Sequence, residues 1–310
     1  MPEDPPPPAR FGFIGVTTGG SLINKMFPLW AEALGLNAVL EGIDLPVGAD
    51  RQAIREAILR LQQEPGWLGA LITTHKVAVW EHARDLLAET DPHAQRLGEV
   101  SCLSKNESGQ WVGHAKDALT AMLALAQVAP EDYWEAHPEA ELLILGSGGA
   151  GVALAWGVLQ RPRPPARITF TELRPERLAQ ARHHLQDASP ERLHFRHTPT
   201  PEDADALVSH LPPFSVVVNA TGLGKDRPGS PLSEAVQFPA KGRVWEFNYR
   251  GDLTFLQQAR TQESARQLSV FDGWHYFLLG WAYVAAEVFH FELTPERFQQ
   301  LAAAAAPLRP

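Results

Sequence analysis

One cysteine in 310 residues, Cys102, has nothing inside the chain to pair with, so an intramolecular disulfide is excluded. No Cys/His set has the spacing of a structural zinc site, and no metal is expected. Basic residues are the minority: 27 Lys and Arg against 36 Asp and Glu leave a net charge of −9. That balance argues against a nucleic-acid or anionic-membrane partner. A long hydrophobic run is also lacking. The apolar stretch from Tyr276 to Phe289 is too short to span a bilayer and carries Glu287, so it is expected to be a core helix. The chain does not open on the basic, apolar and small-residue succession of a signal sequence. With the single cysteine, this makes a reducing cytoplasm the expected setting. Pro5 to Pro8 instead suggest a short polyproline tail, with disorder expected over residues 1–9. No internal repeat is apparent.

What is present is the composition of a soluble globular protein, 45% apolar and 20% charged, in a length that suits about two domains. Phe11–Val16, Asn37–Ile43 and Gly69–Thr73 read as strands. Between and after them, Leu29–Leu34, Arg51–Gln63 and a segment starting near Val77 read as helices. Strands alternating with helices predict βαβ units and a parallel sheet for this first region. Beyond it, Leu142–Leu145, Arg167–Thr171, Ser215–Asn219 and Val244–Asn248 read as strands of a second, doubly wound unit. Trp274–Phe291 and Pro295–Ala306 read as closing helices that pattern alone assigns to neither region.

The most informative stretch is Leu142-Leu143-Ile144-Leu145-Gly146-Ser147-Gly148-Gly149-Ala150-Gly151. An apolar strand ends in glycines at 146, 148 and 151, and the helix-like Val152–Leu159 follows. The first glycine permits the tight turn, the second lets the backbone approach a pyrophosphate, and the third allows close helix–strand packing. The helix N-terminus offers its N–H groups to the phosphates. A dinucleotide site is therefore expected here.

Two charged residues stand out in the first region. Lys76 follows the strand Gly69–Thr73, where side chains at a carboxyl edge meet ligands; a solvated lysine opening a helix is the plainer reading. Asp117 precedes an apolar helical run through Leu125, and its plainer role is to cap that helix. Spacing alone does not pair them.

Several short segments, in order, resemble those of the shikimate dehydrogenase family. Gly15–Ile23 is similar to the family's pocket segment with Ser-x-Ser, and Leu71–Lys76 to Asn-Val-Thr-x-Pro-x-Lys. Gly98-Glu99-Val100-Ser101-Cys102 is similar to Gly-Ala-Val-Asn-Thr, and Gly113–Ala118 to Gly-x-Asn-Thr-Asp-Gly. The glycine turn, then Asn219-Ala220-Thr221-Gly222-Leu223-Gly224, then Tyr249 with Thr254, Leu256 and Ala259 complete the series. The resemblance implies two α/β domains with a cleft between them. One is a substrate-binding domain, residues 1–120 with 274–310; the other is a Rossmann dinucleotide-binding domain, residues 121–273. It implies a soluble NAD(P)-dependent oxidoreductase, with Lys76 and Asp117 as the catalytic pair. Ser21, Thr73, Ser101 and Tyr249 are then substrate-binding. Gly146, Gly148, Gly149, Ala150, Gly151, Glu172, Arg174, Asn219, Ala220 and Thr221 hold the cofactor. The chemistry is sound in its own terms. Oxidising a secondary alcohol releases a proton as hydride leaves, and a lysine beside the hydroxyl can take it while an aspartate positions the ammonium.

The departures from the family fall in the substrate pocket. Ser21 is retained, but Ile23, Ser101, Ala115-Lys116 and Gly280 stand where the family has serine, asparagine, Asn-Thr and glutamine. The Thr-x-Pro-x-Lys segment is one residue shorter, with His75 in place of Pro-x. Each lost partner of a buried hydroxyl costs about 1–3 kcal/mol, so efficient turnover of shikimate itself is not expected. Lys116, His75, His114 and His275 are new polar candidates nearby, each with an ordinary surface or locally bonded role as the plainer reading. At the cofactor's ribose the family's NADP enzymes carry Asn-Arg-Thr, whereas this chain has Glu172-Leu173-Arg174. A carboxylate there accepts from the 2′-hydroxyl and repels a 2′-phosphate, favouring NAD; Arg174 and Arg177 act in the other direction. The alternatives are a quinate or other cyclitol dehydrogenase and, in another class, a non-catalytic dinucleotide sensor. The expected partner is a small-molecule substrate, on a monomer or homodimer.

Overall fold

The computed structural model describes residues 6–225 and 227–310. Of the expected tail, residues 1–5 lie outside that range. Asn37 Nδ2 donates to Pro6 O at 2.9 Å, and Ala9 opens the first strand.

The chain begins β1 (Ala9–Gly15), α1 (Ile23–Leu34), β2 (Ala38–Asp44), α2 (Arg51–Gln63), β3 (Trp67–Ile72) and α3 (Lys76–Ala83). Then come β4 (Glu89–Thr90), α4 (Pro92–Leu97), β5 (Cys102–Lys105) and β6 (Trp111–His114). The middle comprises α5 (Asp117–Val128), α6 (Tyr133–Ala136), β7 (Leu142–Leu145), α7 (Gly149–Leu159), β8 (Ile168–Glu172), α8 (Pro175–His184) and β9 (Leu193–His197). It continues through α9 (Pro201–Ser209), β10 (Val216–Asn219), β11 (Arg243–Glu246), α10 (Thr254–Arg266) and β12 (Ser269–Phe271), before α11 (Trp274–Phe289) and α12 (Pro295–Ala305). Two compact units result, one of Met1–Lys116 with Gly280–Arg309 and one of Asp117–Leu279. No helix among the described residues is long and apolar enough to cross a membrane.

The first unit holds a six-stranded sheet in the order β2-β1-β3-β5-β6-β4. β2, β1 and β3 are parallel, as the alternating pattern predicts, but β5 is antiparallel to both β3 and β6. The sheet is therefore mixed, which corrects the expectation of a parallel one. The reason lies in a short hairpin. Asn106 N donates to Gln110 O at 2.9 Å, and Gly109 takes φ +74°, so β5 turns straight into β6 without a crossover helix. α2 and α3 cover one face, with Ile54, Ile58, Leu61 and Val79 set against Ile14 and Ile72. On the other face, Phe11 meets Phe27, Trp281 and Phe289 from α1 and α11.

The second unit holds a six-stranded sheet, β12-β11-β10-β7-β8-β9, parallel throughout. Its order reverses at β7, so β7 and β10 flank the switch point where ligands bind in doubly wound sheets. β7 and β10 are buried at every position, which is why Leu142–Leu145 and Val216–Val218 read as unbroken apolar runs.

Candidate functional site

In the second unit, β7 runs into the glycine turn and then α7. Gly146 holds φ +94°, a conformation that costs a side chain, and a Cβ on it would sit 3.0 Å from Thr221 N and Cα. Gly148 is different: its backbone is extended and a Cβ there would meet nothing within 4 Å. A glycine facing open space just before a helix N-terminus leaves room for a ligand against the backbone. The first-turn N–H groups of an α-helix have no acceptor within the helix, so those of α7 are donors a ligand at this end could use. These residues fit a dinucleotide pyrophosphate.

Glu172 ends the next strand, beside the turn. Its Oε2 accepts from Ser147 Oγ at 3.2 Å and Ser147 N at 3.4 Å, and its Oε1 from Leu173 N at 3.0 Å and Arg174 N at 3.3 Å. On the opposite side, Asn219 ends β10, and its Oδ1 accepts from Thr221 N at 3.1 Å and Thr221 Oγ1 at 2.7 Å. This Asx turn sets Ala220 and Thr221 against Gly146. The fold thus brings together the glycine turn, Glu172 and Asn219–Thr221. Arg174 is exposed at the N-cap of α8. Tyr249 belongs to an aromatic cluster, stacked at 4.0 Å on Phe277 and tilted at 5.8 Å to Trp274.

Sequence reading missed Glu246, the last residue of β11. It is wholly buried, and burial pushes its carboxyl up to about 7, against hydrogen bonds from Asn248 and Asn219 that lower it. A charged residue inside the run Val244–Asn248 was the available signal.

In the first unit, Lys76 opens α3 at the carboxyl end of β3, half-buried, with its carbonyl accepting Val100 N at 3.0 Å. Thr73 is locked to β1: its N donates to Ile14 O at 3.0 Å and its Oγ1 to the same oxygen at 3.3 Å. Ser101 is buried, and its Oγ accepts Lys116 N at 2.8 Å. Ser21 follows a short turn, its N donating to Thr18 O at 3.0 Å. Thr18 in turn gives both N and Oγ1 to Asp44 Oδ1, at 2.8 and 2.6 Å; the Oγ1 bond first and the backbone bond second hold that carboxyl below its usual range. Lys76, Thr73 and Ser101 therefore gather at one sheet edge. Asp117 is half-buried and opens α5 in the second unit.

His75, His114 and Lys116 each have a partner within the first unit. His75 is 3% exposed and its Nε2 lies 3.0 Å from Leu45 O. His114 Nε2 lies 2.8 Å from Ser104 Oγ, and Lys116 Nζ donates to Glu287 Oε2 at 2.7 Å. Burial alone pulls the Glu287 carboxyl upward, but the Lys116 bond and the charges of His114 and Lys116 outweigh it and hold it low. His275 is half-buried, and burial lowers its pKa. The family's glutamine position, Gly280, faces open space on α11.

No family model matches the chain. A shikimate dehydrogenase (NADP(+)) of Streptococcus thermophilus is 31% identical over 176 residues, covering 56% of this chain and 57% of that protein. The chain thus matches little more than half the length of that curated relative. Among solved structures, shikimate dehydrogenase from Aquifex aeolicus superposes with a TM-score of 0.73 at 19% identity, covering 98% of each chain. The chain is similar in sequence to shikimate dehydrogenases and in fold to shikimate and quinate dehydrogenases. Quinate dehydrogenase from Corynebacterium glutamicum in complex with NAD shares the same two-unit fold, with a TM-score of 0.71 at 20% identity over 96% of this chain and 99% of that one. At such identities these structures establish the fold, and the sequence relative carries the family likeness.

Proposed function

We propose that this protein is an NAD(P)-dependent oxidoreductase that reversibly oxidises a ring hydroxyl of a small polar cyclic acid. The observation that carries the reading is the cradle at the β7–α7 turn, where Gly148 opens onto free space between Glu172 and the Asn219–Thr221 loop, in a chain of shikimate dehydrogenase likeness. Bound nicotinamide dinucleotide supplies the hydride acceptor. Gly146 to Gly151 hold its pyrophosphate, with Asn219, Ala220 and Thr221 lining the same switch point. Lys76 takes the hydroxyl proton on Nζ, and Asp117 orients that ammonium and the adjacent substrate hydroxyl. Ser21, Thr73, Ser101 and Tyr249 bind the substrate's polar groups. The reaction balances: the alcohol loses a hydride to the nicotinamide and a proton to Lys76, and becomes a ketone.

Of the two dinucleotides we propose NAD. The Glu172 carboxylate at the end of β8 favours a free ribose 2′-hydroxyl and opposes a 2′-phosphate, even though the sequence relative is named for NADP(+). The changed pocket groups favour a polar cyclic acid other than shikimate, with a quinate or other cyclitol acid as the alternative. The Ser101 hydroxyl is taken up by the Lys116 N–H, and Gly280 leaves open the space a glutamine fills in the family.

The test is Lys76→Ala. Removing the proton acceptor lowers kcat by about 10²- to 10⁴-fold while leaving dinucleotide affinity close to native. Turnover that persists at the native rate would remove Lys76 from the chemistry.

A further inference from the structure

Glu246 is a fully buried carboxyl for which the reaction above has no use, yet it ends a strand beside the proposed dinucleotide loop. Its Oε1 accepts from Asn248 N and Asn248 Nδ2, each at 2.7 Å, and its Oε2 accepts from Asn219 Nδ2 at 2.6 Å. All three partners are donors. The two asparagines then pass the constraint on. Asn219 uses its remaining oxygen to hold Thr221 N and Oγ1, and Thr221 Oγ1 accepts Leu223 N at 3.1 Å. Asn248 Nδ2 reaches Leu223 O at 3.1 Å. Every link is a directed hydrogen bond, and the loop that results lies against Gly146.

We propose that Glu246 is a positioning residue for the dinucleotide: its buried carboxylate orients the Asn219 and Asn248 amides, and through them holds the Asn219–Leu223 loop in binding geometry. The inference rests on the dinucleotide reading of that loop. Its force comes from donor and acceptor identity. A glutamine at 246 has the same size but turns one acceptor into a donor, which then faces either Asn219 Nδ2 or the Asn248 donors. Asn219 cannot answer by turning its amide over, because Thr221 N and Oγ1 already need its oxygen. The loop must give up at least one bond. Burying a neutral amide in place of a carboxylate also removes a desolvation cost, so the fold itself is not the casualty.

The experiment compares the native protein with Glu246→Gln in two readouts: amide hydrogen exchange at Thr221 and Leu223, and titration with NADH and NADPH. The expected result is a native-like melting temperature, exchange at both amides about tenfold faster, and a Kd for dinucleotide about tenfold higher. A loop competent only a tenth of the time weakens apparent affinity by that factor. Asn248→Ala, which removes one donor to the carboxylate and the bond to Leu223 O, gives the same two changes and serves if Glu246→Gln fails to fold. Unchanged exchange at Thr221 and Leu223 overturns the positioning role. Faster exchange with unchanged dinucleotide affinity overturns the link to the cofactor. Native protein that binds neither NADH nor NADPH overturns the dinucleotide reading and this inference with it. That failure is seen before any substitution is made.

Discussion

Glu172 has four N–H and O–H groups directed at its carboxylate, from Ser147, Leu173 and Arg174, so it is fixed in place before any ligand arrives. If the proposed dinucleotide binds beside it, a preorganised acceptor of this kind meets a ribose hydroxyl or a ribose phosphate with little further rearrangement. Glu172→Ala is expected to lower the ratio of NAD to NADP specificity, kcat/KM for each, by about tenfold, the size of one charged hydrogen bond of 1.5 kcal/mol or so. An unchanged ratio would reduce Glu172 to a brace for Ser147. At this scale the sequence was legible where function rests on the backbone. Gly146 and Gly148 announce themselves by spacing, the first because its φ of +94° favours glycine and the second because the proposed ligand needs the room. It was illegible where function rests on distant partners. Glu246 finds Asn219 across 27 residues, and Lys116 finds Glu287 across 171. No local pattern encodes such pairs.

The β7–turn–α7 element separates two uses of glycine, and the two can be tested apart. Gly146 is required by conformation: at φ +94°, with Thr221 backbone 3.0 Å from a notional Cβ, Gly146→Ala is expected to destabilise the fold by about 1–3 kcal/mol. Gly148 is in an extended conformation with open space before it, so Gly148→Ala is expected to leave stability within about 0.5 kcal/mol. The same Gly148→Ala should weaken dinucleotide binding, because its methyl group occupies the space proposed for the pyrophosphate. Urea unfolding and dinucleotide titration of both variants read the distinction; equal effects on stability would refute it. Elements with a strong period were read close to their bounds: α2 spans Arg51–Gln63, capped by Asp50 Oδ1 accepting Ala53 N at 2.9 Å. The short strands β4, β5, β6, β9 and β12 were not read. They are two to five residues long, too brief for alternation to register against turn-like neighbours. Because β5 and β6 carry no periodic signal, the sequence predicts a parallel sheet where the structure has a mixed one.

For the molecule as a whole, the centre of the second unit follows from physical rules: β7, β8, β10 and β11 are parallel strands with a switch point beside β7. The first unit does not, since its mixed sheet and the return of α11 and α12 to it are set by contacts remote in sequence, such as Phe11 with Phe289. Resemblance supplied what periodicity left open. The polar groups that differ from the family either bond within their own unit, as His75, His114 and Lys116 do, or leave space, as Gly280 does. In the proposed reading, that combination leaves the dinucleotide cradle in place and alters the groups that would grip the substrate. The measurement that bears most directly on this account follows nicotinamide absorbance of the native protein with NAD and NADP over shikimate, quinate and related cyclitol acids. The account predicts dinucleotide-linked oxidation of at least one cyclic hydroxy acid, with shikimate not the best of them. Measurable dinucleotide binding without absorbance change for any of these acids would contradict it and leave a non-catalytic sensor in its place.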